Sequence, residues 1–319
     1  MDLFIDIFIS SLFTSAPLIL ATFAIVLIFK TSFTTNFAQG MIGTIAAFIT
    51  SYMLLPNPDF TNPTVPSPTL MEYFVAIMAG VLVSFLISMV IDVLIFRNSR
   101  YLNPVGKQII TMGMVLIVTG VLPMTFGVDA LPLPRMGKNL VDSQIGKFLN
   151  VFVTFFGDLG VRVRLEMVLT TFLSAIILGT IFALLRFSKW GLGVRATASN
   201  EKVASMMGVN TKFITAMSWA IAGGIGAVAA IIIASNRDGF FVSPYLMIST
   251  QVQAFFSAIL GGFSTFFGPV VGALLFTIFD NLFAVYFNPW GKTATYLFIM
   301  IIVLIKPYGL FGKKIAKKV

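Results

Sequence analysis

Between two long apolar runs, at 166–186 and 212–234, stands Lys189–Asn210, KWGLGVRATASNEKVASMMGVN, a polar and basic island. Runs of roughly 20 apolar residues are long enough to cross a bilayer, so the island reads as a loop at one membrane surface. Within it the sequence predicts a short helix. Ser199 or Asn200 is the N-cap, Glu201 places a negative charge in the first turn, and Gly208 is a left-handed stop. Val203, Met206 and Met207 fall at i, i+3 and i+4, which gives the helix one apolar and adaptable face. Such a face suits docking into a groove on a soluble partner. An amphipathic helix resting on the bilayer accounts for the same spacing.

The rest of the composition agrees with a lipid solvent. Of 319 residues, 58% are hydrophobic and only 10% are charged, more apolar than a soluble domain of this size requires. No small-residue cleavage site follows the first apolar run, so no removed signal peptide is expected. The absence of cysteine excludes disulfides and thiolate metal sites, and the absence of histidine removes the commonest general base and metal ligand. No phosphate-binding G-x-x-x-x-G-K-[ST] run occurs, so the chain supplies no nucleotide site of that type. No cofactor is called for.

Candidate helices fall at 12–30, 37–55, 71–95, 108–126, 166–186, 212–234, 249–263, 266–287 and 293–306. The fold class is therefore all-α, a polytopic membrane protein with about 8–9 transmembrane helices and interrupted or re-entrant segments. The run 249–263 is short enough to re-enter instead of crossing. Alternation gathers Lys30, the loops 96–108 and 186–212, and the tail on one side, where Arg97, Arg100, Lys107 and Lys212 face only Asp92 and Glu201. By the positive-inside rule that side is cytoplasmic, in a bacterial-type inner membrane, with the N-terminus outside and the C-terminus inside. The net charge of +9 is then a topology signal and no nucleic acid is implied. Asp92, beside Arg97, reads as a paired or snorkelling carboxylate at that boundary. The chain is one transmembrane domain, 1–319, with an extracytoplasmic loop at 127–165, a cytoplasmic loop at 187–211 and a basic tail at 306–319. In the outer loop Pro132 and Pro134 favour extended chain, and the apolar run 148–156 is too short to span. With the proline-rich segment 56–70 it forms either a platform for an external partner or a cap over helix ends.

Two interruptions stand at similar distances from the two ends. The first is Thr34-Thr-Asn-Phe-Ala-Gln-Gly40 with Gly43 and Thr44, and the second is Leu260-Gly-Gly-Phe-Ser-Thr-Phe-Phe-Gly-Pro269. Backbone freed at membrane depth must be satisfied by protein or by cavity water, and paired interruptions point to a transport site. Asn36, Gln39, Gly40, Thr44, Gln251, Gln253, Gly261, Gly262, Ser264 and Asp280 are the candidate pathway residues. Close helix packing is the competing account, and it is favoured for Ala222-Gly-Gly-Ile-Gly226. Asp280 is a costly carboxylate at mid-span, with Gln253 and Asn281 as its expected hydrogen-bond partners and no compensating cation close by. Its expected role is structural.

Four motifs, in order, resemble those of branched-chain amino acid ABC transporter permeases. They are Asn36-Phe-Ala-Gln-Gly40; Gly193-Val-Arg-Ala-Thr-Ala198 with Ala204, Gly208, Val209 and Asn210; Ala254-Phe255 with Leu260-Gly-Gly262, Gly268 and Gly272; and Lys306-Pro-Tyr-Gly-Leu-Phe-Gly312. The likeness covers about 20–55 and 186–312. It implies a pore of two related permease subunits in a lipid bilayer, two cytoplasmic ABC ATPases and an extracytoplasmic substrate-binding protein. Arg195, Asn200, Glu201, Val203, Ala204, Met206, Met207 and Gly208 would then form the ATPase-coupling element. Gln39, Met41 and Asp280 depart from the histidine, acidic residue and glutamate frequent in the family, which leaves nucleosides, simple sugars and urea-like amides as alternative solutes. A stand-alone channel or secondary transporter would use Asp280 and the interruptions but leaves 189–210 without a role. An intramembrane enzyme would need paired aspartates, and Asp158 and Asp280 lack the sequence context for a dyad.

Overall fold

The computed structural model describes residues 2–55, 68–99, 102–134, 143–158, 160–161, 163–236 and 241–312. Most of the loop 56–70, part of the outer loop (135–142), Arg100 and the end of the tail lie outside the described residues. The helices are α1 (Asp2–Thr14), α2 (Ala16–Ser32), α3 (Gln39–Leu54), α4 (Leu70–Ile91, continued by a π-helical turn Asp92–Phe96), α5 (Pro104–Phe126), α6 (Gln144–Asp158), α7 (Leu165–Phe187), α8 (Lys189–Ser199), α9 (Glu201–Met206), α10 (Thr211–Asn236), α11 (Ile248–Gly261), α12 (Gly268–Tyr286) and α13 (Gly291–Ile305). One short antiparallel ladder pairs β1 (Leu131–Pro132) with β2 (Phe241–Val242).

The architecture is the all-α, polytopic one expected. Among the described residues, five helices (α4 with its π-turn, α5, α7, α10 and α12) are long and apolar enough to cross a membrane. A sixth span forms if α1 and α2, bent by 50° at Ser15, count as one. The remaining three of the nine apolar runs make shorter helices of 16 (α3), 14 (α11) and 15 (α13) residues. The shortening has a local cause in two of them. The 33–38 interruption delays α3 to Gln39, and Gly262, with φ of 95°, ends α11.

The core is a bundle of α2, α3, α4 and α10. Of the apolar window of α10, 78% is buried, against 17% for α5, so α10 is the axis and α5 lies at the periphery. Close packing rests on small residues. A Cβ added at Gly43 would lie 2.6 Å from the Gly226 carbonyl oxygen, and one at Gly80 would lie 2.7 Å from that of Ala46. Gly223 likewise faces the Ser84 carbonyl at 2.6 Å, which bears out packing as the role of 222–226. Trp219 is fully buried against Phe96, with ring centroids 4.7 Å apart. Asp92 is buried in the π-turn at 4% exposure, deeper than the boundary position its sequence suggested.

Contacts group the ends of the elements. At one end Ser51 Oγ donates to the Pro132 carbonyl at 2.8 Å, and the Tyr73 hydroxyl donates to that of Pro134. The extended chain expected at Pro132 is therefore clamped between α3, α4 and β2. At the other end Lys30 Nζ donates to the Ser264 carbonyl and lies 5.3 Å from the Phe266 ring centroid. Here Leu310 N and Phe311 N also donate to the carbonyls of Leu260 and Gly261, at 2.8 and 3.3 Å. The short apolar run 148–156 forms α6, which packs on α1 and α7 through the Phe13–Phe156 and Phe152–Phe172 ring pairs, each 5.3 Å apart.

Gly43→Ala and Gly120→Ala separate packing from propensity. Nothing lies within 4 Å of a Cβ at Gly120, so that substitution removes only the helix penalty of glycine. Gly43→Ala should destabilise the bundle by about 1–3 kcal/mol through overpacking. Thermal unfolding of the full chain in detergent should show a lowered midpoint for Gly43→Ala and an unchanged or raised one for Gly120→Ala.

Candidate solute pathway and coupling surface

The structure divides the candidate pathway residues into three groups. The first is a sealed amide cluster. Asn36 Nδ2 donates to Gln39 Oε1 at 3.1 Å, and Asn36 Oδ1 accepts from Ala38 N at 3.0 Å. Gln39 Nε2 reaches across to the Ala222 carbonyl of α10 at 2.7 Å. Gln251 bonds the same break from α11, with Oε1 accepting from Gly40 N at 2.7 Å and Nε2 donating to the Asn36 carbonyl at 3.1 Å. Asn36, Gln39 and Gln251 are all buried, and Thr44 Oγ1 closes on the Gly40 carbonyl at 3.1 Å. In this conformation the polar groups of these residues serve the protein itself. Gly40 is required by the same contact, because a Cβ there would lie 2.9 Å from Gln251 Oε1.

The second group is the α11–α12 turn. Gly261 and Gly268 face each other so closely that a Cβ on either would overlap the other's backbone, and Gly272 sits equally close to the Ser257 carbonyl. Gly262 is pressed against the 308–312 segment. Ser264 contributes its carbonyl to Lys30. The third and fourth sequence motifs are thus parts of one interlocked structure.

The third group lines a cavity of about 230 Å³ near the α1–α2 bend, with Gln253, Asp280, Asn281, Thr277 and Thr250 as its polar lining and Leu18, Ile233 and Phe276 as apolar walls. Gln253 and Asp280 meet here, on the side of α11 that turns away from the sealed cluster. The expected partners of Asp280 are corrected by the structure. Thr295 Oγ1 of α13 donates to Asp280 Oδ1 at 3.1 Å, whereas Asn281 Nδ2 donates to Ser11 Oγ of α1 at 2.9 Å. Lys292, in the first turn of α13, is within electrostatic reach of Asp280, so the carboxylate does not lack a neighbouring cation. Thr295 was missed by the sequence reading. A usable signal existed, because residues 280 and 295 each lie one to two turns from the connection between α12 and α13, so an antiparallel helical hairpin brings them together.

The segment expected to couple to an ATPase folds as α8 followed by α9. Asn200 is the N-cap of α9, its Oδ1 accepting from Val203 N at 3.1 Å. Gly208, at φ of 84°, ends it as expected, with Gly208 N donating to Ser205 O and Val209 N to Ala204 O. Val203, Met206 and Met207 are 51%, 79% and 80% exposed, while Ala204 is buried and holds the helix to the bundle. Residues 189–199 form a helix that the spacing did not foretell, capped by Ser188 Oγ on Gly191 N at 3.0 Å. Arg195 is exposed on α8, not on α9, and it ties α8 to α7. Its guanidinium donates to the carbonyls of Leu185 and Arg186 at the end of α7, where a cation favours the helix dipole.

Comparisons with known proteins converge on one family. The profile of the family described as "Branched-chain amino acid transport system / permease component" matches residues 7–305. The chain is 30% identical over 152 residues to the high-affinity branched-chain amino acid transport system permease protein LivH of Escherichia coli, an alignment covering 47% of this chain and 48% of that protein, about half the length of each. It is 23% identical over 305 residues to the probable branched-chain amino acid transport permease protein LivH of Methanocaldococcus jannaschii, covering 92% and 88% of the two chains. To BraD of Pseudomonas aeruginosa, a high-affinity branched-chain amino acid transport system permease protein, it is 23% identical over 298 residues, covering 89% and 88%. No solved structure matches. With an apolar helical bundle throughout and a family match over almost its whole length, this chain belongs to the branched-chain amino acid transport permease family.

Proposed function

We propose that the chain is the membrane-spanning subunit of an ATP-driven importer for branched-chain or related amino acids, acting as a single domain over 1–319. The observation that carries this reading is α9, a capped helix that presents Val203, Met206 and Met207 outward from a rigid mount. Ala204, the α8 scaffold and Arg195 fix that mount to α7 and α10, so a push on α9 is transmitted to the spans. Exposed methionines on a short helix suit a hydrophobic groove on an ATPase. On this reading the loop 187–211 and the tail 306–319 are cytoplasmic, 127–165 faces an external binding protein, and a second permease subunit completes the pore. The N-terminus is outside. A stand-alone channel would leave the α9 face without a function.

Solute passage is assigned to the cavity at Gln253 and Asp280. The amide cluster of Asn36, Gln39 and Gln251 sets the position of the inner ends of α3 and α11. The cavity combines a carboxylate and amides with Leu18, Ile233 and Phe276, a lining that suits a small solute with both polar and apolar parts. Asp280 supports the α12–α13 hairpin through Thr295.

Cysteine placed at Met206, in a chain that has no other cysteine, should crosslink to the co-purified ATPase and resist impermeant thiol reagents added to intact cells. Labelling from outside would reverse the orientation. Gly208→Leu meets open space but a positive φ, so its cost is conformational, about 1–2 kcal/mol, and falls on the end of α9. Uptake should drop severalfold with membrane levels unchanged, and normal uptake with normal ATPase stimulation would refute the coupling role. Asp280→Asn keeps an acceptor for Thr295 and should retain most uptake, whereas Asp280→Leu should reduce the amount of assembled complex. Loss of uptake in a well-assembled Asp280→Asn complex would make the carboxylate a solute ligand.

A further inference from the structure

Behind α9, at the end of the bundle that holds Lys30, is a second and larger cavity of about 460 Å³. Its lining comes from the ends of α2 and α4, from the starts of α5 and α10 and from both ends of α9, so it lies between α9 and the transmembrane core. Four cations face it, Arg97, Lys107, Lys202 and Lys212, against the carboxylates of Asp92 and Glu201. Four cations against two carboxylates leave the lining with an excess of positive charge. Asp92 is buried, and Glu201 stands exposed in the first turn of α9. Arg97 donates to the Lys212 carbonyl at 3.5 Å. Hydroxyl groups of Thr31, Ser32, Thr34 and Ser205 add neutral donors to the wall.

We infer that this cavity binds a phosphate group, either that of an anionic phospholipid or a soluble phosphate, and that the bound anion ties the coupling helix to the bundle. Convergent cations and hydroxyl donors match the several oxygens of a phosphate, and charge-assisted bonds are the strong ones. The elements that line the cavity also carry exposed Phe33, Leu94, Leu102 and Phe213, which belong at the level of acyl chains and headgroups. Lys202 and Ser205 come from α9 while Lys107 and Lys212 come from α5 and α10. An anion between them therefore bridges α9 to α5 and α10. No step of the proposed transport pathway uses this cavity, and its test does not depend on transport.

The test is binding by the purified full chain. Native mass spectrometry with phosphatidylglycerol against phosphatidylcholine, together with thermal-shift titration of inorganic phosphate in lipid-free detergent, separates the two sources. The wild-type chain should retain phosphatidylglycerol in preference, with the preference falling as salt is raised. The Lys107→Gln/Lys212→Gln double variant should bind at least about tenfold more weakly. Lys202→Gln, on the exposed side of the cavity, should weaken binding by a smaller factor without lowering the melting point, and it carries the test if the double variant fails to fold. Lys147→Gln on α6 should leave binding unchanged. Stabilisation by phosphate alone, lost in the same variants, assigns the site to a soluble anion. Absence of both the lipid preference and the phosphate shift in the wild-type chain, or binding by Lys202→Gln and the double variant equal to wild type, overturns the proposal.

Discussion

A break in a helix at membrane depth is tolerable only where other groups return the hydrogen bonds that the break removes. Here the returning groups are three carboxamides. Asn36 turns the chain and caps Ala38, Gln39 anchors the start of α3 to α10, and Gln251 joins the same turn to α11. Carboxamides suit the task because each carries both a donor and an acceptor and neither must be charged. The cluster also explains why α10 is the axis of the molecule. The Ala222 carbonyl that receives Gln39 lies beside Gly223 and Gly226, where the absence of side chains lets α3 and α4 approach the α10 backbone. The break and the close packing therefore depend on each other. Removing the small residues would carry α10 out of reach of Gln39.

The second half of the bundle solves the same problem with backbone instead of side chains. Gly261, Gly268 and Gly272 allow α11 and α12 to cross at contact distance, and the 308–312 segment supplies the peptide groups that complete the turn. Lys30, from the last turn of α2, closes the Ser264 carbonyl. The two interruptions thus share a position in the sequence pattern but not a chemistry. One is a buried amide network, and the other is a set of glycine contacts that only glycine satisfies.

What the sequence disclosed followed the range of the interactions. The cap at Asn200, the stop at Gly208 and the apolar face of α9 are encoded within a few residues, and each was legible. So was the packing role of 222–226, because glycines at that spacing have little other use in an apolar run. Helix α8 was not legible. Gly191 and Gly193 lower its intrinsic propensity, and its stability comes from Ser188 and from Arg195 reaching back to α7. The partner of Asp280 was missed because Gln253 and Asn281 were near in sequence or similar in polarity, while Thr295 is brought close only by the hairpin. The candidate pathway residues were chosen by polarity at the interruptions, which does not distinguish a group that faces a cavity from one that bonds to its own chain. Gln253 and Gln251 are two residues apart on one helix and fall on opposite sides of that distinction.

The clasp between the 308–312 segment and the α11–α12 turn also imposes an order on biosynthesis. Chains emerge from the ribosome N-terminal end first, so α11 and α12 enter the membrane well before their closing segment exists. Until then the carbonyls of Leu260 and Gly261 lack the amide donors of Leu310 and Phe311. The two hydrogen bonds that close this end of the molecule therefore form last in synthesis.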